Sequence, residues 1–256
     1  MKKLLITLAA GLAGYGLACS QALAQTTIDQ NKALAGNVTP GDTPGFPITI
    51  SQPGSYKLTG NLTVPANVKG IHITANNVTL DLNGFTVSGP STCTRDDQSR
   101  FVSCTHDNPQ ASGIDAYMAT GTAVRNGTVK GFGGIGLAAG DHARIDNLRL
   151  TENKLGLSSI GLMSAGPIIS NTVADTNAGY GMNMIVGVIT NSRVFGNGGD
   201  GFVGSSGVTV SVSQALLNRG VGLKGVAVRG SYTHNNGVNR QNVSSMGGNL
   251  DSSVPF

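Results

Sequence analysis

The sequence predicts an all-β fold in which the chain winds through stacked parallel coils as a single-stranded solenoid. Three observations support this prediction. Six-residue segments recur about every 21 residues along the second half of the chain, and apolar and polar positions alternate within them. Glycine, with 38 residues of 256, is about twice as frequent as in average proteins, whereas only 12% of the residues are charged.

The repeat consists of six segments that align without gaps. They are Gly127-TVKGF, Leu148-RLTEN, Thr172-VADTN, Ser192-RVFGN, Ser213-QALLN and Ser231-YTHNN. Their first residues are 21, 24, 20, 21 and 18 positions apart. An earlier segment, Gly84-FTVSG, fits the same frame if an insertion separates it from the others.

The alternation inside the segments indicates strands that bury one face. The third positions are small or branched residues, mostly apolar: Val129, Leu150, Ala174, Val194, Ala215 and Thr233. A helix would need apolar residues at three- and four-residue spacing, and frequent Gly and Asn oppose it. About 21 residues accommodate three short strands and three turns, and stacked coils then pair equivalent strands about 4.8 Å apart.

The N-terminus predicts export. A short basic start is followed by an apolar stretch at residues 4–18, which is too short to span a bilayer comfortably. Small residues flank the leucine of residues 22–24, as at a signal-peptidase site. We therefore predict that residues 1–24 are a bacterial-type signal peptide cleaved after Ala24, and that the mature protein is periplasmic or secreted. Lipoprotein processing at Cys19 is the alternative, but the residues before it match that motif poorly.

Charge and hydropathy exclude two classes of partner. Removal of the signal peptide takes away two of the 17 basic residues, so 15 face 13 acidic residues and the net charge is +2. Without a basic run, this charge predicts no nucleic-acid partner. No second hydrophobic stretch follows the signal peptide, so we predict no membrane span.

Two cysteines remain in the predicted mature chain, which agrees with an oxidising compartment. Cys93 and Cys104 bracket the polar stretch TRDDQSRFVS, which interrupts the apolar pattern. We predict that they form a disulfide closing a surface loop at residues 91–109, worth about 3 kcal/mol in the chain-entropy description. A zinc site is not expected, because two thiolates lack further ligands at a suitable spacing.

Asparagine recurs at two positions of the repeat. The last five segments end in Asn153, Asn177, Asn197, Asn218 and Asn236. Four segments are preceded by Asn126, Asn147, Asn171 and Asn191. Stacked amides at equivalent turns can bond one another and the backbone. We predict that the five terminal asparagines form a structural ladder rather than a ligand site.

The stretch PGSYKLTGNLTVPANVKGIHITANNVTLDLNGFTVSG, at residues 53–89, resembles the right-handed parallel β-helix proteins of the pectin-lyase-like group. The resemblance implies a secreted single-stranded right-handed parallel β-helix of about eight coils across residues 48–236. It also implies a cap over the first coil, for which residues 25–47 are an N-terminal cap or lead-in. The polar residues 237–256 would be a C-terminal tail. Polysaccharide lyases, epimerases and glycoside hydrolases belong to this group, together with secreted proteins of no assigned activity.

The repeat also predicts a candidate binding groove. If third positions point inward, second and fourth positions point outward and stack on successive coils. Arg149 and Arg193 then lie two coils apart, about 10 Å, with Asp175 on the coil between them and Tyr232 and His234 further along. Such a strip offers cations for carboxylates and aromatic rings for sugar faces. The alternative is an exposed sheet whose charges only form salt bridges with one another.

Motifs for catalysis are mostly missing, and we assign no catalytic residue. The Asp-Pro-His motif of uronan epimerases does not occur. Lyases of the group typically bind calcium through clustered acidic residues and use a nearby Arg or Lys as the base; a cation acidifies the proton beside the uronate carboxylate. Asp96, Asp97 and Asp107 cluster in the predicted loop, but such acidic loops are more often only solvated. We therefore predict no metal or other cofactor, with calcium as the alternative.

Two functional hypotheses follow. The first is an exported protein that binds an extracellular or cell-envelope polysaccharide and, if it is an enzyme, cleaves it by β-elimination as a polysaccharide lyase or a related carbohydrate-active enzyme. The second is a non-catalytic structural, adhesive or accessory solenoid of the envelope. The pectin-lyase-like resemblance favours glycan contact, although a fold does not determine a function.

Overall fold

A computed structural model describes residues 25–106, 108–160, 165–205 and 207–252 of the chain. The predicted signal peptide, residues 1–24, lies outside these residues, as does Asp107 of the acidic cluster.

Apart from one short helix, the regular secondary structure of the described chain consists of short strands arranged in successive coils. Strand β1 (Thr26–Ile28) and helix α1 (Gln30–Ala35) precede the first coil. The first coil contains β2 (Ile48–Ile50), β3 (Gly54–Leu58) and β4 (Leu62–Thr63), and the second contains β5 (Ile71–Ile73), β6 (Val78–Asp81) and β7 (Thr86–Ser88). A hairpin, β8 (Thr92–Arg95) and β9 (Phe101–Thr105), follows the second coil. The third coil contains β10 (Ile114–Ala116) and β11 (Ala123–Lys130), and the fourth contains β12 (Ile135–Ala139) and β13 (Arg144–Thr151). The later coils are β14 (Leu155–Ser159), β15 (Ile168–Ser170), β16 (Val173–Asp175); β17 (Met182–Met184), β18 (Val186–Thr190), β19 (Arg193–Phe195); β20 (Phe202–Val203), β21 (Gly207–Ser211), β22 (Gln214–Leu216); β23 (Val221–Lys224), β24 (Ala227–Arg229), β25 (Tyr232–His234); and β26 (Val238–Gln241), β27 (Ser244–Ser245), β28 (Leu250–Ser252).

Stacking of the coils forms three parallel faces. Face 1 is a nine-stranded sheet that runs from β2 to β26. Faces 2 and 3 together form a 17-stranded sheet, because β11 and β13 continue from face 2 to face 3 without a break. Face 3 consists of β4, β7, the second halves of β11 and β13, and then β16, β19, β22, β25 and β28. These pairings confirm the predicted right-handed parallel β-solenoid.

The solenoid completes about nine coils within the described residues, one more than the sequence analysis counted. The ninth coil, β26 to β28, lies in the segment that we expected to be a polar tail. At this end the residue aligned with the buried third position is Asp251, which pairs with Thr233. Asp251 is polar and exposed, so the alternation of apolar residues that marked the other coils is missing from this one.

The core is the column of side chains that point into the coils. On face 3 the third positions of the six segments are all buried, with at most 1% exposure. Ala215 on face 3 is small, and Phe202 on face 1 of the same coil is large and also fully buried. Pairing large with small residues keeps the cross-section of the solenoid filled at the density of a protein interior.

A short cap covers the first coil. Strand β1 pairs in parallel with β3 and extends face 2 by one strand. Helix α1 begins after Asp29, whose carboxylate accepts the backbone N–H of Lys32 at 2.8 Å. Ala33 of this helix is fully buried. These elements supply the start of the solenoid with the hydrogen-bonding strand and the apolar cover that a preceding coil would otherwise give.

Candidate functional site

The predicted surface strip lies on face 3, in the register that the repeat implies. Arg149 pairs with Val173, Val173 with Arg193, and Thr151 with Asp175. The second positions of the segments therefore form one outward column and the fourth positions form another. Arg149 and Arg193 are exposed and lie two coils apart in the first column.

Asp175 is the buried charge of this strip. Arg149 donates two hydrogen bonds to it, Nε to Oδ1 at 3.0 Å and Nη2 to Oδ2 at 2.9 Å. Arg95 forms a second ion pair with the same carboxylate. The Asp175 side chain is only 5% exposed, whereas that of Arg149 is 56% exposed. Burial on its own raises the pKa of Asp175, but the hydrogen bonds and attraction of Arg149 and Arg95 outweigh it, so the pKa is lowered.

Arg95 comes from the hairpin that sequence analysis described as a surface loop. Strands β8 and β9 pair antiparallel, with Cys93 directly opposite Cys104. The predicted disulfide joins these two residues. Instead of projecting into solvent, the hairpin lies along the fourth-position side of face 3. There the Arg95 guanidinium is 5.2 Å from the centre of the Phe195 ring.

Arg193 has a different partner from the one that the salt-bridge alternative required. Its guanidinium lies 4.5 Å from the centre of the Phe195 ring, a cation–π contact. Among the described residues, Asp175 forms salt bridges with Arg149 and Arg95 but not with Arg193. The expected Arg149–Asp175–Arg193 triad is therefore replaced by an Arg149–Asp175–Arg95 cluster beside Arg193.

The aromatic end of the strip lies on the eighth coil. The rings of Tyr232 and His234 stack with centroids 6.0 Å apart and planes 13° from parallel. Both side chains are half-buried. They extend the two columns of face 3 past Gln214 and Leu216, with which they pair in register.

Two turns border face 3 on successive coils. We call the turn between face 2 and face 3 the entry turn; it contains Asn126, Asn147, Asn171 and Asn191. We call the turn after face 3 the exit turn; it contains Asn153, Asn177, Asn197, Asn218 and Asn236. A shallow cleft of about 520 Å³ follows the entry turn, lined by the exposed amides of Asn147 and Asn171 together with Arg149.

The exit turn carries a continuous ladder of amides. Asn177 illustrates the pattern: its Nδ2 donates to the Leu150 carbonyl and to Asn197 Oδ1, both at 3.0 Å. Its own Oδ1 accepts the backbone N–H of Asn153 at 3.0 Å. Equivalent bonds connect Asn197 to Asn218 and Asn218 to Asn236. These amides bond to the protein itself and do not face a ligand.

Of the three aspartates in the acidic cluster, Asp96 has partners within the hairpin itself. Asp96 Oδ1 accepts the backbone N–H groups of Gln98 and Arg100 at 3.0 and 2.8 Å, so it stabilises the tip of the hairpin. Cys93, Cys104 and His106 place three ligand atoms within 4.8 Å of one another. Both sulfurs belong to the disulfide, and thiolates, not disulfides, are the metal ligands.

Comparison with known protein families agrees with the β-helix fold. The family described as "Right handed beta helix region" matches residues 67–216, more than half of the chain. The chain belongs to this right-handed β-helix family. No curated protein matches the sequence. Within the described residues, no helix is long and apolar enough to cross a membrane.

Two bacteriophage structures resemble this β-helix. The Dettilon tailspike protein is 14% identical, with a TM-score of 0.50 over 80% of this chain and 52% of its own. The enzymatically active domain of tailspike protein 2 of bacteriophage CBA120 is 14% identical, with a TM-score of 0.35 over 80% of this chain and 40% of its own. This chain spans about half the length of these solved chains or less. At 14% identity, the likeness to the Dettilon protein shows the fold alone.

Proposed function

We propose that this β-helix protein binds an anionic polysaccharide along face 3. The observation that carries the proposal is the position of Arg149 and Arg193. Both side chains are exposed, point outward in one column and lie two coils apart. Two coils correspond to about 10 Å, close to the length of two sugar units, so one extended chain can contact both guanidinium groups.

The charge balance of the strip favours an anionic ligand. Arg95 and Arg149 form salt bridges with the carboxylate of Asp175, and a third arginine, Arg193, lies beside them against the Phe195 ring. Glu152 also attracts Arg149, so the group of five keeps an excess of one positive charge. A guanidinium can donate two parallel hydrogen bonds to a carboxylate, which suits the acidic groups of uronic-acid polymers. The stacked rings of Tyr232 and His234 offer an apolar surface for a sugar face further along.

The binding partner in this proposal is extracellular or part of the cell envelope. It rests on the predicted signal peptide at residues 1–24 and agrees with the disulfide between Cys93 and Cys104, a bond typical of oxidising compartments. A polysaccharide outside the cytoplasm is then accessible to face 3.

Binding, rather than cleavage, is the activity that the geometry supports. Cleavage by β-elimination needs a base within hydrogen-bond reach of the proton beside the uronate carboxylate. Lyases of the pectin-lyase-like group use an Arg or Lys as this base, and Arg149 is poorly suited to the role, because the hydrogen bonds and attraction of Asp175 raise the pKa of its guanidinium. We therefore assign Arg149 and Arg193 to substrate binding and assign no catalytic residue.

The test is the double variant Arg149→Ala/Arg193→Ala, measured against polygalacturonate, alginate and hyaluronan. We expect binding to weaken by about tenfold or more, since hydrogen bonds between charged groups contribute about 1.5–3 kcal/mol each. The salt dependence of binding should also become flatter. Absorbance of unsaturated products in the same mixtures would report lyase activity.

The matched control is Arg144→Ala/Arg229→Ala, which removes the same charge from two exposed arginines of face 2. If both double variants bind as the wild type does, the binding site is not on face 3. If the wild type binds none of the three polymers, the structural or adhesive alternative is favoured instead.

A further inference from the structure

The hairpin β8–β9 forms a wall along four coils of the solenoid. It is inserted after the second coil of the solenoid. Its residue Arg95 contacts Asp175 on the fifth coil and Phe195 on the sixth. Its tip continues to the seventh and eighth coils, where Asp96, Arg100 and Phe101 lie near the exit turn.

The contact with the sixth coil is close enough to require glycine. A Cβ atom at Gly196 would lie 2.8 Å from the Ser99 carbonyl oxygen of the hairpin. One at Gly198 would lie 2.7 Å from two ring atoms of Phe101, and 2.3 Å from the Ala178 carbonyl oxygen of the preceding coil, so only Gly196 is required by the hairpin alone. Real Cβ atoms do not approach other atoms so closely. The hairpin therefore packs on the sixth coil through the Ser99 backbone and the Phe101 ring. The ion pair between Arg95 and Asp175 adds a contact with the fifth coil.

The hairpin is also ordered from within. Its strands are joined by the Cys93–Cys104 disulfide, and Thr92 and Thr105 hydrogen-bond across them at 3.1 Å. The backbone N–H of Asp96 donates to the Arg100 carbonyl at 3.0 Å and closes the tip. An isolated two-stranded hairpin is at best marginally stable in water. These bonds, together with the packing of the hairpin on the sixth coil, therefore hold the tip in place.

Next to the seventh and eighth coils, the tip of the hairpin and the exit turn line a cavity of about 400 Å³ that is partly open to solvent. The tip contributes Arg100 and the Phe101 ring, and the solenoid contributes Arg219 and Asn235. Asp96 lies at the rim with one oxygen bonded to the backbone of the tip. The cavity therefore combines two cations, an aromatic surface, an amide and a carboxylate, within the size range of small-molecule pockets.

We infer that this cavity is a subsite for one acidic sugar unit of the polysaccharide bound along face 3. Arg100 and Arg219 bind the sugar carboxylate from opposite walls. Phe101 packs against an apolar face of the ring, and Asn235 bonds hydroxyl groups. The inference rests on the proposed function and extends it, because it makes the hairpin a part of the binding site instead of a surface decoration.

The position of the cavity sets the length of ligand that can use it. Arg149 lies on the fourth coil and Arg219 follows the seventh, three coils or about 14 Å along the axis. Because the two residues also lie on opposite sides of face 3, an oligosaccharide that contacts both needs at least about four units. Shorter oligomers can occupy the strip or the cavity but not both. A longer ligand that already binds the strip can also bind the cavity without losing further translational freedom. Its affinity is therefore higher than that of a ligand that reaches only one of the two.

The experiment compares Arg100→Ala/Arg219→Ala with the wild type on oligogalacturonides and alginate oligomers of one to six units by calorimetry. In the wild type we expect affinity to rise about tenfold between three and five units. In the variant this rise should be lost while affinity for the dimer and trimer is retained. The Arg144→Ala/Arg229→Ala protein should keep the wild-type profile, and thermal unfolding should show that all three proteins are folded.

Two results would overturn the subsite, and they differ from failure of the proposed function. A wild-type length profile in the Arg100→Ala/Arg219→Ala variant would show that the cavity takes no part in binding. An equal loss of affinity for every oligomer length would show that the arginines act on the whole surface and not on one subsite. If the wild type binds no oligomer or polymer, the proposed function itself fails and the subsite fails with it.

Discussion

The entry turn and the exit turn of face 3 use the same amino acid for different physical reasons. At the entry turn, Asn126, Asn147, Asn171 and Asn191 have φ between 45° and 60° and are solvent-accessible to varying extents. At the exit turn, the asparagines from Asn153 to Asn218 have at most 1% exposure. There the left-handed conformation falls on the preceding residue, such as Glu152, Thr176 or Leu217.

The difference shows which property of asparagine each turn selects. The entry turn needs a left-handed backbone, which Asn and Gly adopt more easily than other residues. After Asn191 the same position is occupied by Gly230, which fits this preference, and by Val212, which does not. The exit turn needs a side chain that donates and accepts at once, because each amide bonds the coils on either side. Its Asn is repeated on five coils without substitution.

The largest effect is expected from Asn177→Ala at the exit turn. The change removes the Asn177 amide, so the buried Asn153 backbone N–H loses its acceptor and the Leu150 carbonyl loses one donor. We expect the free energy of unfolding to fall by about 2–3 kcal/mol, as measured by urea denaturation.

The matched control is Asn171→Gly at the entry turn. Glycine keeps the left-handed conformation there, and the Asn171 amide is exposed, so its loss should cost less than about 1 kcal/mol. If the two variants were equally stable, the buried ladder would contribute no more than the exposed asparagines do.

Asp175 lies on face 3 between the two turns, and its effect should be smaller and pH-dependent. Its folded pKa is below the ordinary value of 3.8. The stability that it contributes is therefore complete above pH 3.8 and is lost as the pH falls from there through the lowered pKa. Asp175→Asn should cost about 1–2 kcal/mol at pH 7, and this difference should shrink as the pH falls below 3.8.

Asp81 is the comparison on the entry-turn side. Its pKa is also lowered: burial on its own raises it, but bonds from the Asn83 N–H, Asn126 and Arg125 outweigh that effect. The Arg125 side chain is nearly half exposed, so Asp81→Asn should change the pH profile of urea denaturation less than Asp175→Asn. An identical acid profile in wild type and Asp175→Asn would show that the ion pairs of Asp175 do not stabilise the fold.

The sequence predicted local and periodic features well, and missed contacts between distant parts of the chain. Burial alternates with period two, so the inward column of Val129 and Leu150 could be derived from the repeat alone. The second partner of Asp175 could not, because Arg95 is 80 residues away and lies in an insertion outside the repeat. Nor does the sequence indicate that the hairpin lies against Gly196 and Gly198.

The same limit explains the candidate site. The outward columns were predicted correctly in register because equivalent coils stack, so Arg149 and Arg193 could be placed two coils apart. The cavity beside Arg219 could not be predicted, since it depends on where the tip of the hairpin lies. A site that depends on an insertion, and not on the repeat, can be located only in the folded structure.

The smallest effect, and the only stabilising one that we predict, concerns Val212 of the entry turn. This valine has φ of 48° and is 64% exposed. A β-branched residue in the left-handed region is strained by about 1–2 kcal/mol, and an exposed side chain gains little from packing. Val212→Asn should therefore raise the free energy of unfolding by about 1 kcal/mol. The control Val188→Asn replaces an exposed valine of strand β18 and should not stabilise, because asparagine is disfavoured in strands. If urea denaturation showed Val212→Asn to be no more stable than the wild type, backbone conformation would not explain the asparagines of the entry turn.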